Sequence, residues 1–322
     1  MVEQTEPAGQ GDERPGTTNE GANGDGPARL LAKGFAMGSA DIIPGVSGGT
    51  MALILGIYER LLRAIRSFDL AWARDLFGGR PAVALGRNDL RFLIPLGLGI
   101  VSALAFFTRV VPLPQLIETH PEMIYGLFFG LILASVWVLL REAPAFGARE
   151  AGWVLLGAVA GFVVVNLVPV ETPEALWFIF LCGFVAISAM LLPGISGSFI
   201  LLILGKYAYI IDALGRLDLL IIGVFLAGMV CGVLAFSRAI TWLLARFHDT
   251  TMMTIIGILL GSLWVIWPFQ QRSYATVGDE EKLVASNPVW PAALDGEALA
   301  AFGLLAAGFV LVLVLHRLGK RT

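Results

Sequence analysis

Two apolar segments of the chain are interrupted by the same short break, and this repeat limits the fold more than any other feature. The segment IPGVSGGTMALILGIY at 43–58 matches LPGISGSFILLILGKY at 192–207. A constant shift of 149 positions pairs Pro44 with Pro193, and it pairs a serine and three glycines in the same way. Each segment is therefore expected to form two short apolar arms joined by a bend.

Weaker matches follow in the same order along the chain. FFTR ending at Arg109 resembles AFSR ending at Arg238, and GLFFG at 126–130 resembles GILLG at 257–261. Chance hardly explains all three matches in one order. The sequence therefore indicates two halves, each with one broken hairpin followed by three apolar spans.

Composition places both halves in a membrane. Apolar residues make up 57% and charged residues 15% of the chain, and several apolar runs reach the roughly 20 residues that a helix needs to cross a bilayer. We predict an all-α polytopic membrane protein with two inverted-topology repeats. The chain is expected to begin with a disordered cytoplasmic tail at 1–27. The first repeat, at 28–168, contains a hairpin at 29–66 and spans at 92–111, 123–140 and 151–168. The second repeat, at 176–316, contains a hairpin at 176–214 and spans at 219–246, 252–268 and 299–315.

Basic residues predict how the halves are oriented. A hairpin that crosses the membrane zero times or twice, followed by three spans, makes an odd number of crossings and inverts the second half. Cytoplasmic loops collect Lys and Arg, and the seven arginines at 60–91 predict that this segment and both termini are cytoplasmic. The loops at 112–122 and 169–175 contain no Lys or Arg and are expected outside. The exit of the second hairpin, with Lys206 and Arg216, is the exception.

The two breaks are the predicted substrate site. Broken helices at corresponding positions of inverted halves point to the binding site of a transporter, and the N–H groups that open a new helix suit an anion. Glycines let the backbone come close to that anion, whereas Gly99, within a continuous span, is expected to tolerate alanine. A tight turn without a binding role is the alternative for a single break. The candidate residues are Pro44, Gly45, Ser47, Gly48, Gly49, Thr50, Pro193, Gly194, Ser196, Gly197 and Ser198.

Charged residues near the breaks add five further candidates. Arg109 and Arg238 are matched between the halves, and the guanidinium fork suits a phosphate group; the alternative for each is an interfacial, snorkelling arginine. Asp41 and Glu59 lack acidic counterparts in the second half and are candidates for proton coupling. The alternatives are a structural cap for Asp41 and an interfacial position for Glu59. Lys206 is a candidate contact on the outer face, or a snorkelling side chain.

The motifs themselves resemble a known bacterial family. GSADIIPGVSGGTMALILGIYERLL, PEMIYGLFFGLIL and the second LPGISGSF look like a membrane family that was long catalogued as a domain of unknown function and is now regarded as polyprenyl-phosphate transporters. The resemblance covers about residues 29–317. It implies that undecaprenyl phosphate is returned from the outer to the inner leaflet of the cytoplasmic membrane, so that the lipid carrier is recycled in cell-envelope synthesis.

Two other functions fit the same architecture. Polyprenyl diphosphate phosphatases also resemble this pattern, with Pro-Gly-x-Ser hairpins, but their second motif follows the serine with arginine, and here Gly48 and Gly197 follow. A transporter or channel for a small anion stays open. No metal-ligand spacing or nucleotide loop occurs, since GVSGGT lacks the lysine of a phosphate-binding loop. We therefore expect no cofactor, no metal and no nucleic-acid partner, and the oligomeric state is left open.

The orientation can be tested by thiol labelling. Single cysteines at 112–122 and 269–297 should react with an impermeant thiol reagent added outside intact cells, whereas cysteines at 67–90 should not, because basic loops stay in the cytoplasm. The background needs Cys182 and Cys231 replaced. Labelling at 67–90 from outside would contradict the inverted arrangement.

Overall fold

The fold is described from a computed structural model, which covers residues 25–43, 46–111, 113–143, 146–167, 172–277 and 280–319. Most of the predicted tail, at 1–24, lies outside these residues, and so do Pro44 and Gly45. Six helices in the described part are long and apolar enough to cross a membrane, as the sequence predicts. They are α6 (Leu90–Arg109), α8 (Pro121–Glu142), α9 (Ala148–Val165), α13 (Leu219–Arg246), α14 (His248–Ile266) and α15 (Gly296–Gly319).

Each repeated break lies in a three-helix unit. The first hairpin contains α1 (Pro27–Asp41), α2 (Gly48–Ile54) and α3 (Tyr58–Arg66), and the second contains α10 (Leu176–Leu191), α11 (Gly197–Ile203) and α12 (Tyr207–Gly215). The chain bends by 107° between α11 and α12. Both hairpins bend at a glycine with positive φ, which is 68° at Gly56 and 62° at Gly205. Glycine adopts this conformation without a steric penalty, which explains why the repeated LG pair marks the bend.

Shorter elements connect the long helices. They are α4 (Leu70–Phe77) and α5 (Pro81–Arg87) before α6, α7 (Leu113–Thr119) before α8, and the strands β1 (Gln270–Val277) and β2 (Glu280–Pro288) before α15. The strands pair antiparallel, with Gln270 opposite Pro288. The sequence predicted only a connection accessible from outside at 269–297. Its Tyr, Thr and Val residues favour strands, but they are too few among polar neighbours to predict a ribbon.

Four pairs of helices pack closely through glycine. They are α1 with α6, α10 with α13, α8 with α15, and α9 with α14. A Cβ at Gly126 of α8 would lie 2.5 Å from the carbonyl oxygen of Ala301, and one at Gly130 would clash with Leu305, one turn further along α15. Because the contacting positions advance in the same direction along both helices, α8 and α15 run parallel to each other. Small residues let helix backbones approach this closely in lipid, where packing replaces the hydrophobic effect.

Aromatic contacts fix the direction of α14 relative to α8. Phe129, in the first half of α8, packs on Trp267, just after the end of α14, with ring centroids 5.2 Å apart. Phe302, in the first third of α15, lies 5.4 Å from Phe269, also just after the end of α14. Phe162, near the end of α9, packs on Trp264 at a centroid distance of 5.2 Å. The glycine contacts also advance together, from Gly157 on Thr254 to Gly161 on Ile258, so α9 and α14 run in the same direction. The end of α14 lies beside the first parts of α8 and α15, so these two helices run opposite to α14.

The expectation that Gly99 tolerates alanine is wrong. A Cβ at Gly99 would meet the carbonyl oxygen of Leu31 and lie 2.7 Å from the backbone nitrogen of Phe35. Gly99 is therefore a contact residue between α6 and α1. Gly97, two positions earlier in the same helix, has nothing within 4 Å of an added Cβ, which makes it the better control.

Alanine substitutions should distinguish these two glycines. Gly99→Ala should lower the free energy of unfolding by about 1–3 kcal/mol, because an extra methyl group in a packed contact forces the backbones apart. Gly97→Ala should be neutral or slightly stabilising, since alanine favours helix. Thermal unfolding in detergent measures both. Equal melting temperatures would show that α1 and α6 pack less closely than described.

Candidate substrate-binding site

The two hairpin breaks meet each other. The hydroxyl of Ser47 donates a hydrogen bond to the carbonyl oxygen of Met190 at 3.0 Å, and the hydroxyl of Tyr58 donates to the carbonyl oxygen of Leu191 at 2.9 Å. In the opposite direction, the backbone N–H of Gly194 donates to the hydroxyl of Thr50 at 2.8 Å. We call these three hydrogen bonds the seam. The seam joins the first hairpin to the second at the level of both breaks.

Side chains of the first break accept hydrogen bonds from the N–H groups at the start of α2. The carboxylate of Asp41 accepts a hydrogen bond from the N–H of Gly48 at 2.6 Å, and the hydroxyl oxygen of Ser47 accepts one from the N–H of Gly49 at 3.1 Å. Both groups therefore cap α2. In this conformation Asp41 acts as the structural cap that the sequence suggested as its alternative role. The hydroxyls of Ser47 and Thr50 are fully buried and engaged in the seam.

The second break lacks this carboxylate. The position that corresponds to Asp41 is Met190, and the side chain of Ser196 makes no cap hydrogen bond to α11. Instead, the hydroxyls of Ser196 and Ser198 lie 2.8 Å apart. Ser196 is buried and Ser198 is exposed. The serine pair therefore supplies the exposed hydroxyl at the breaks.

The described glycines of the breaks allow protein backbone to pack closely. An added Cβ would lie 2.6 Å from the carboxylate of Asp41 at Gly48, 2.8 Å from the carbonyl oxygen of Met190 at Gly49, and 2.7 Å from the carbonyl oxygen of Ala186 at Gly197. Gly194 has a φ of 93°, and Pro193 beside it is buried. In this conformation these glycines approach protein groups.

Lys206 is buried beside the second hairpin bend. Its side chain is only 4% exposed, and its Nζ donates to the carbonyl oxygen of Thr172 at 2.8 Å and lies 5.6 Å from the ring centre of Tyr209. Among the described residues, no carboxylate lies within 4 Å of this ammonium group. In this conformation the ammonium group therefore contacts the connection just before α10 and not solvent. A buried cation is costly unless an anionic group pairs with it, so the position suits an anionic partner.

The two matched arginines have different surroundings. Arg238 is half-buried in α13, where its guanidinium donates to the carbonyl oxygen of Leu234 at 2.7 Å and to that of Phe68 at 3.3 Å. Arg109 is the last residue of α6 and is exposed. The structure does not bring either arginine to the seam.

Glu59 lies at an exposed end of the bundle. Its carboxylate is 3.1 Å from Nε2 of His248, at the start of α14, and 3.4 Å from Arg63. The carboxylate therefore links α3 to α14, away from the seam. Sequence reasoning missed Tyr58 as a seam residue, although the repeated tyrosine in the two matched segments was an available signal.

Comparison with known proteins identifies the family. A family model described as undecaprenyl phosphate translocase-like matches residues 37–284. The chain belongs to this family. The resemblance carried by the hairpin motifs is thereby confirmed.

Curated relatives bear a related name. The polyprenyl-phosphate transporter of Vibrio cholerae is 41% identical over 243 residues, which cover 74% of this chain and 77% of the relative. The polyprenyl-phosphate transporter of Staphylococcus aureus is 33% identical over 260 residues, which cover 74% of this chain and 85% of the relative. No solved structure matches the chain.

Removing one hydroxyl from the seam should weaken the fold. Thr50→Val keeps the side-chain shape but leaves the buried N–H of Gly194 without its partner, so the free energy of unfolding should fall by about 1 kcal/mol, the scale of hydrogen bonds inside membrane proteins. The matched control is Thr241→Val, since Thr241 bonds only to its own helix, at Ser237. Thermal unfolding that does not distinguish the two variants would contradict a stabilising seam.

Proposed function

We propose that this protein moves polyprenyl phosphate, of the undecaprenyl phosphate class, from the outer to the inner leaflet of the bacterial cytoplasmic membrane. The observation that carries the proposal is the seam, because it brings two interrupted helices together among membrane-length helices in a chain of this family. Interrupted helices at membrane depth are tolerated where protein or a water-filled cavity surrounds them. Such sites bind the substrates of many transporters.

The repeats are proposed to have inverted topology. The matched segments GLFFG and GILLG lie in α8 and α14, which run in opposite directions according to the contacts of Phe129 and Trp267. The close pairs α8–α15 and α9–α14 each join the second span of one half to the third span of the other. A two-fold axis in the membrane plane that relates α8 to α14 and α9 to α15 would generate both the opposite directions and these two close pairs. With both termini cytoplasmic, the two breaks then face opposite sides of the membrane.

The seam is proposed to exchange its partners during transport. Opening the seam would release three donors, which are the hydroxyls of Ser47 and Tyr58 and the N–H of Gly194. Phosphate oxygens accept hydrogen bonds strongly, so a head group between the separated breaks would replace the two carbonyl acceptors and the Thr50 hydroxyl that these donors lose. The three donors then keep a partner, which avoids the cost of leaving a buried O–H or N–H group unpaired. The isoprenoid tail would remain in the lipid.

Charged residues are proposed to receive the head group on each side. Lys206 offers a buried ammonium on the outer side, where the substrate arrives, and its counterpart in the first half is the apolar Ile57. The exposed Ser198 and the exposed Arg109 are the other outer candidates. Arg238 is the inner candidate. This asymmetry supports import from the outer leaflet, because only the second half buries a cation at its hairpin bend.

Asp41 is the proposed proton-coupling residue. Its carboxylate caps α2 directly beside Ser47, so protonation would weaken the cap next to the seam and favour separation of the breaks. Glu59 is the second candidate, but its contacts with Arg63 and His248 also fit a structural link at the end of the bundle.

Transport can be measured in proteoliposomes that contain a fluorescent polyprenyl phosphate in one leaflet. Lys206→Ala should reduce capture from the outer side about tenfold or more, because a hydrogen bond from a charged group contributes about 1.5–3 kcal/mol and about 1.4 kcal/mol is a factor of ten. The matched control is Arg216→Ala, since Arg216 lies at the exit of the same hairpin but is exposed and paired with Asp212.

Several results would overturn parts of this proposal. Normal transport by Lys206→Ala would remove Lys206 from the outer site. Arg109→Lys and Arg238→Lys test the other two cations in the same assay, each with substrate presented on its own side. Phosphate release from polyprenyl diphosphate would indicate an enzyme, and saturable uptake of a soluble anion would indicate a small-anion transporter.

A further inference from the structure

The segment between α3 and α6 exposes an apolar face. Leu70 is 88% exposed and Phe77 is 87% exposed, and they lie two turns apart on α4, so they share one face. Arg74 lies between them on that face and is also exposed. Helix α4 has eight residues, which is far too short to span a bilayer. Large exposed apolar side chains beside a basic residue are typical of helices that lie on a membrane surface.

The segment is fixed to the end of the bundle at both of its ends. Asn88 donates to the hydroxyl of Ser67 at 2.7 Å, and Arg60 pairs with Asp89 at 2.8 Å. The carbonyl oxygen of Phe68 accepts from Arg238 of α13. These contacts hold the segment beside the points where α3 ends and α6 begins. The exposed face therefore has a defined position.

The two short helices are also joined to each other. Arg87 of α5 pairs with Asp75 of α4 at 2.8 Å, and the ring of Trp72 packs edge-on against Phe68 with centroids 5.1 Å apart. The carboxylate of Asp69 accepts from the N–H of Trp72 and caps α4. This hydrogen bond lowers the pKa of Asp69, so the cap is ionised at neutral pH. These contacts hold α4 and α5 together, and Leu70 and Phe77 remain exposed on the outer side of the segment.

The region at 59–91, which contains the segment and the adjoining ends of α3 and α6, carries seven arginines and four acidic residues. Arg60, Arg63 and Arg87 pair with Asp89, Glu59 and Asp75. In the part of the chain that the structure describes, the remaining four arginines of this region have no carboxylate within 4 Å, and all four are exposed. They are Arg66, Arg74, Arg80 and Arg91. An excess of unpaired positive charge beside an apolar face complements an anionic lipid surface.

We propose that the α4–α5 segment binds the anionic lipid surface of the membrane that holds the protein, with Leu70 and Phe77 inserted between head groups and acyl chains. The leaflet is the cytoplasmic one, which rests on the topology proposed above. Lipid binding by this segment does not depend on transport. A failure of one proposal is therefore distinguishable from a failure of the other.

A fluorescent reporter can test lipid contact directly. An environment-sensitive dye is attached at Ala73→Cys, one turn before Phe77, in full-length protein with Cys182 and Cys231 replaced. The protein is placed in nanodiscs of phosphatidylcholine alone or mixed with phosphatidylglycerol. We expect quenching by spin-labelled lipid and protection from aqueous acrylamide, both stronger in the anionic discs. The reference position is Arg149→Cys, an exposed residue at the start of α9.

Matched variants separate the apolar and the charged contributions. Phe77→Ser should abolish lipid quenching, whereas Ala82→Ser, at an exposed site on α5, should leave it unchanged. Arg74→Gln and Arg80→Gln should each weaken the association about fivefold, because a basic residue near an anionic leaflet contributes about 1 kcal/mol. Quenching by acrylamide as strong as at position 149, with none by lipid, would overturn the proposal. Protection that depends on protein concentration would also overturn it and assign the face to a second copy of the chain.

Discussion

A helix that is interrupted inside a membrane exposes N–H and C=O groups that lipid cannot satisfy, and the rest of this structure depends on how those groups find partners. The two hairpins satisfy each other. Carbonyl oxygens at the end of α10 accept from Ser47 and Tyr58, and the hydroxyl of Thr50 accepts from Gly194. Neither break is complete without the other, so the broken geometry is stable only where the two halves meet.

The glycine contacts between the long helices support that meeting point. Helices α1 and α10 each carry one arm of a hairpin, and each packs closely against the first span of its own half. Glycines such as Gly38 and Gly183 bring those backbones together. This packing holds the arms in place, while Ser47, Thr50 and Tyr58 of the first hairpin bond to the end of α10 and to Gly194. Dispersion contacts between the long helices therefore position the hairpin arms, and hydrogen bonds join the two breaks.

Much of the fold could be predicted from the sequence because lipid imposes simple rules. Length and hydropathy were enough for six spans, and the repeated Pro-Gly-x-Ser motif was enough for both breaks, whereas the bends at Gly56 and Gly205 were not predicted. The partners of individual side chains could not be predicted, because they depend on how the halves pack in space. The seam residue Tyr58, the buried Lys206 and the packed Gly99 each required knowledge of a neighbour far away in sequence. The apparent symmetry of Arg109 and Arg238 also did not extend to their surroundings, since among the described residues Arg238 bonds to the carbonyl oxygen of Phe68, whereas Arg109 is exposed at the end of α6.

The pairing of helices across the two halves has a consequence for biogenesis. Helix α8 enters the membrane early, but its glycine face at Gly126 and Gly130 fits α15, the final helix. Helix α9 likewise fits α14. The first half must therefore persist in the bilayer with two unfilled helix surfaces while the ribosome completes the second half. A chaperone or insertase that shields those glycine surfaces would act in this interval, and a truncated chain that ends before α14 would retain them as sites for wrong helix partners.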